Sequence, residues 1–168
     1  PTIGDVPEID CILIEERGFG AGPDFALVPA ALPPGAHSFY AIAEAPDGSR
    51  TFSPPVAFVS RPANDDFATA EVITGRHVQA PGTTTGSSIE PDDPLALTGG
   101  ADLTVWYRWT APADGPVTLS EGGENYVRAY RGQSLATLTP AGLGGLSAKD
   151  TFTAVRGETY AIAVGSLS

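Results

Sequence analysis

The sequence predicts an all-β protein built as two β-sandwich domains, 1–62 and 63–168, and three observations carry that prediction. Gly 20 and Pro 16 punctuate a chain of 168 residues, while charged residues make up only 17%, a turn-rich composition with little of the charge that exposed helices carry. Apolar runs of five to nine residues recur between turn signals, which is the spacing of sandwich strands. The segment RPANDD at 61–66 is polar, contains Pro and separates two series of such runs, so it reads as a domain boundary.

The first series predicts strands at 9–16 (IDCILIEE), 25–30 (FALVPA), 37–45 (HSFYAIAEA) and 53–60 (SPPVAFVS). Each is followed by a breaker: GFGAG at 18–22, LPPG at 32–35, PDG at 46–48 and the 61–66 boundary. Asp47-Gly48 reads as a hairpin turn, because Gly accepts the positive φ of a tight connection. The second series predicts strands at 71–75 (EVITG), 77–82 (HVQAPG), 103–111 (LTVWYRWTA), 116–121 (PVTLSE), 126–132 (YVRAYRG), 149–155 (KDTFTAV) and 159–166 (TYAIAVGS). Almost no helix is expected.

The formal net charge of −11 is spread along the chain. Residues 1–62 hold eight acids and three bases, and residues 63–168 hold twelve and six. An acidic surface repels phosphate backbones, so nucleic acid is excluded as a partner. The one cysteine, Cys11, rules out an intrachain disulfide and reads as a buried small hydrophobe. No apolar run reaches the length of a membrane span. Opening on Pro1 with no initiator Met and no signal sequence, the chain reads as a mature product or as part of a longer one.

Five pieces in order carry a family resemblance: NDDFATA at 64–70, TTTGSSIEPDDP at 83–94, VWYRWTAPADGPVTL at 105–119, AYRGQSLATLTP at 129–140 and FTAVRGETYAIAVG at 152–165. Through them residues 64–164 resemble the bacterial pre-peptidase C-terminal (PPC) domain, which implies a jelly-roll-like sandwich in a secreted setting at the bacterial cell surface. LPPGAHSFYAIAEAPDGSRTFSPPVAFV at 32–59 is similar to the latter part of a bacterial immunoglobulin-like domain. Against these families the first domain is short of its opening strands and the second is short of its last strand. The apolar stretch at 9–16, with Ile9, Ile12 and Ile14, belongs to the first domain or supplies the missing last strand to a neighbouring copy. A sandwich short of a strand exposes an edge that templates pairing with another chain. Neighbouring copies or flanking β-domains, joined through edge strands, are therefore the expected partners, and a fragment of a longer chain is the plainer alternative.

Residues suited to chemistry are few. His37 and His77 are the only histidines and fall at the starts of separate predicted strands. Ser134 in GQSLA imitates a nucleophile elbow, but no histidine lies downstream of it, so it reads as a turn serine. GFGAG is followed by Pro23-Asp24 and a strand rather than the helix that a phosphate loop opens. Carboxylates gather at Asp65 and Asp66 and at Glu90, Asp92 and Asp93, and hard oxygen donors suit calcium. The PPC resemblance implies calcium as the candidate cofactor at Asp65 and Asp66. The alternative is that one of them caps a helical turn through FATAEV.

In 103–110 strand alternation sends Leu103, Val105, Tyr107 and Trp109 to one face and Thr104, Trp106, Arg108 and Thr110 to the other. The first row reads as core. The second is mixed, and Trp106 with Arg108 reads as a covered structural pair, a domain or subunit contact, or a ligand platform. The expected function is a non-catalytic extracellular module of a surface fibre, stalk or adhesin. An accessory domain pair of a secreted peptidase or other hydrolase is one alternative. A calcium-dependent carbohydrate or collagen binder is the other.

Overall fold

The structure, a computed structural model, describes residues 32–167 apart from 41, 45, 46, 98, 100, 124 and 143–146. The strands expected at 9–16 and 25–30, the GFGAG turn, and Ile9, Ile12 and Ile14 lie outside the described residues. Pro33–Ser168 constitute one compact unit. The fold is all-β: among the described residues helix is confined to one turn of α-helix, α1 (Pro94–Leu97), and two 3-10 turns, Phe67–Thr69 and Leu135–Thr137. None of these is long and apolar enough to cross a membrane.

The first strands form two short antiparallel ladders. β1 (Gly35–Phe39) pairs with β4 (Val56–Ser60), and β2 (Ile42–Glu44) pairs with β3 (Arg50–Phe52). The expected hairpin forms where the sequence placed it, between β2 and β3. Gly48 takes φ 81°, and Asp47 Oδ1 accepts hydrogen bonds from the Ser49 amide at 2.9 Å and hydroxyl at 2.7 Å. Those two bonds hold the Asp47 carboxyl below its usual range.

The remaining strands make a larger body. β5 (Glu71–Ile73), β6 (Leu103–Thr110), β11 (Thr159–Ser166), β8 (Tyr126–Arg131) and β9 (Thr139–Pro140) lie in that spatial order in one five-stranded sheet. β5 runs parallel to β6 and the other neighbours are antiparallel. β7 (Gly115–Ser120) and β10 (Lys149–Ala154) form a separate two-stranded sheet. Residues 77–82, expected as a strand, are irregular. Pro81 lacks an amide to donate, and Gly82 has no side chain to pack on a pleated face.

The five-stranded sheet is packed on both faces. On one, Val105, Tyr107, Trp109, Val127, Ala129, Tyr160 and Ile162 meet Phe152 and Ala154 of β10, with Val117 and Leu119 of β7 beside them. This is the predicted core row of β6. On the other face Trp106, Tyr130, Ala161 and Ala163 form a second core with Phe67, Leu95 and Ala101. The mixed row of β6 is thus covered as well, by side chains from the 3-10 turn and α1. Alternation along β6 is real, but both faces are interior.

Candidate functional site

The polar residues singled out by sequence converge at the corner where the chain passes from β4 into the larger body. Asn64 is buried and serves as a strand surrogate for Trp106: its carbonyl accepts from the Trp106 amide at 2.8 Å, and its Nδ2 donates to the Trp106 carbonyl at 3.1 Å. Asp65 is 4% exposed, and both its oxygens are occupied. Oδ1 accepts from the Ser88 amide at 2.6 Å, and Oδ2 accepts from the Ser88 hydroxyl at 3.0 Å and from Arg61 Nη1 at 3.0 Å. A buried carboxylate needs such donors to offset its lost hydration. Arg61 also donates to Ser88 Oγ at 2.8 Å, so the link closes on itself.

Asp66 is exposed and stands at the cap position of the Phe67–Thr69 turn, but its side chain makes no capping bond. The turn is closed by backbone, with the Thr69 amide donating to the Asp66 carbonyl at 2.9 Å. A capping carboxylate therefore exists at neither Asp65 nor Asp66, because Asp65 is turned toward Ser88. Among the described residues no group of three or more His, Cys, Asp or Glu side chains is arranged to hold a metal ion.

Phe67 is fixed from three sides. Its amide donates to Glu90 Oε2, its carbonyl accepts from Arg108 Nη2 at 3.3 Å, and the Arg108 guanidinium lies 5.0 Å from its ring centroid. Its ring meets Trp106 edge-on, with centroids 5.1 Å apart at 84°. Trp106 is 0% exposed, and Tyr130 packs on its other side at 6.4 Å. Of the three readings of the Trp106–Arg108 pair, the geometry is that of a covered structural pair, in which Arg108 holds the lid and Phe67 is the lid. Among the described residues Trp106 Nε1 and Thr104 Oγ1 are buried without a hydrogen-bond partner.

Glu90 carries the electrostatic cost of this corner. Burial pushes its carboxyl above the usual range, and the charges of Asp66, Asp93 and Asp65 push the same way, while the Phe67 amide opposes them. Tyr130, buried in the second core, is pushed up to about 12 by burial, against the nearby Arg128 charge.

Sequence reasoning passed over Asp150. It is 1% exposed, accepts from the Ala129 amide at 2.9 Å and ties β10 to β8 across the core. A signal was present, since alternation in KDTFTAV puts Asp150 on the same face as Phe152 and Ala154. The other catalytic imitations have structural partners. His37 Nε2 lies 2.7 Å from the Pro33 carbonyl, and the Ser134 hydroxyl pairs with Thr137 Oγ1 at 2.8 Å beside a 3-10 turn. His77 is exposed.

A second feature lies on the opposite face of the five-stranded sheet. Between β7 and the irregular segment 76–84 runs a trough of about 1200 Å³, floored by Val105, Tyr107, Val127, Ile162 and Val164. Arg76 and His77 stand on one wall and Thr118, Ser120 and Glu121 on the other. The trough follows from unequal layers, five strands facing two among the described residues. No known protein family, curated protein or solved structure matches the chain. The geometry of these two features is therefore the basis for assigning a role.

Proposed function

We propose that the chain is a non-catalytic structural module of an extracellular bacterial fibre, stalk or adhesin, assembled through edge-strand pairing. The observation that carries this reading is the inequality of the two packed sheets. Among the described residues β7 pairs only with β10, so its outer edge presents backbone donors and acceptors that another strand can satisfy. The use of the buried carboxylates supports it. Asp65 and Asp150 are bound to backbone amides that hold elements together, rather than poised beside a nucleophile or base. The secreted setting is part of the proposal and is drawn from the sequence resemblance of 64–164 to PPC domains.

Electron microscopy with sedimentation of the purified full chain over a range of concentrations tests the proposal. Unbranched polymers that lengthen with concentration are expected. A single monomeric species at every concentration would overturn it.

A further inference from the structure

We infer that the trough beside β7 is an acceptor slot for one extended strand, residues 9–16 of a second copy of this chain. The inference rests on the assembling-module reading and names its contact.

Two backbone edges face the trough. On one side, the outer edge of β7 has no partner strand among the described residues. On the other, no backbone hydrogen bond is made by residues 76–82 among the described residues, and all seven are exposed. A strand laid between them is positioned to pair on both sides. Neighbouring strands stand about 4.8 Å apart and packed sheets about 10 Å apart, so a third strand beside β7 lies over the middle of the five-stranded sheet. The floor residues already expose little to water, and the gain comes mainly from pairing these edges and from covering the half-buried Leu119 and Val164 and the exposed Val78. Pro116 near the start of β7 has no amide to offer, which confines pairing to the 118–121 end where the trough lies.

The sequence 9–16, IDCILIEE, suits this slot. It is rich in β-branched residues and long enough to span the six residues of β7. Alternation places Ile12 and Ile14 on one face and Ile9, Cys11 and Leu13 on the other, and its terminal Glu15 and Glu16 complement Arg76 and His77 on the wall. The donor is assigned to a second copy because the assembling-module reading requires the strand to pass between chains.

Cys11, the chain's one cysteine, gives the test. Thr118→Cys and Ser120→Cys, made separately in the full chain, place a thiol on the exposed side of β7 in two registers. Mild oxidation of either variant, read on a non-reducing gel with mass spectrometry of the linked peptides, is expected to shift the monomer band into a ladder extending beyond dimer. The ladder should contain a bond from Cys11 to the new cysteine and should collapse when Cys11→Ser is added. The same bond within a single chain, seen as a compacted monomer, overturns the second-copy donor. Polymers by microscopy with no Cys11 bond in either register overturn the slot and leave the fibre reading standing. Neither polymers nor bond removes both. An equal ladder from Val155→Cys, exposed and outside the trough, also overturns the slot, because it marks random collision.

Discussion

Residues 33–60 and residues 64–167 are both strands and turns, yet they bury their side chains very differently. In the first region, two two-stranded ladders pair one edge of each strand, and of the residues between 33 and 60 whose burial is described only Gly35 is buried, while Tyr40, Phe52, Val56 and Val59 are each about half exposed or more. In the second, one five-stranded sheet is covered on both faces and carries two cores. Pairing strands and stabilising them are separate matters. A hairpin closes hydrogen bonds, but it needs a second layer before its apolar face contributes. The second region recruits that layer from irregular chain, in Phe67 and Leu95, as well as from β7 and β10. The two regions meet at a close approach, where a Cβ on Gly86 would stand 2.6 Å from the Ser60 carbonyl and 2.9 Å from the Gly35 amide.

The largest effect that bears on this contrast is expected from the tryptophans. Trp106→Ala and Trp109→Ala should each cost about 3–5 kcal/mol in urea unfolding, because both rings are buried in packed cores on opposite faces of β6. If the Trp106 variant loses far less than the Trp109 variant, the second face is not a core. Next comes Asp65→Ala, for which we expect a loss of about 1–3 kcal/mol, since the Ser88 amide loses its acceptor. Arg61→Ala should lose less, because Arg61 is 58% exposed and its ion pair is screened. Equal losses from the two would mean that the ion pair, not the amide bond, holds the corner.

Tyr130 gives a pH signature. Its folded value of about 12 lies above the ordinary 10.0, so the unfolded chain ionises first as pH rises. The contribution of neutral Tyr130 is complete below pH 10 and is lost between there and about 12. Ultraviolet titration should show Tyr130 ionising late, together with unfolding, beside Tyr107, which burial also raises, and Tyr130→Phe should remove one tyrosine from that late step. The smallest effect is expected in the first region. Phe52→Ala should change stability by about 0.5 kcal/mol or less, as exposed positions do, and a larger loss in a thermal melt would mean that this ring is covered in solution.

Much of this fold was legible in the chain. Short apolar runs between turn signals located β6 and β10, period-two alternation in LTVWYRWTA assigned the inward row of β6, and Asp47-Gly48 located the β2–β3 hairpin. The covering of Trp106 was not legible, because Phe67 and Leu95 come from single turns whose packing no periodicity records. HVQAPG misled for a related reason. Its first residues alternate like a strand, while Pro81 and Gly82 break the ladder that alternation promised. Asp65 was found as a notable acid, but its partner Ser88, 23 residues away, is set by tertiary structure alone.

Hydrogen exchange on the full chain, read by mass spectrometry below and above the concentration of assembly, tests the central claim most directly. The account predicts slow exchange in β6 and β11 at both concentrations, with protection of β7 and of residues 76–82 appearing only in the assembled sample. Assembled protein whose β7 and 76–82 amides exchange as fast as in the monomer would contradict it.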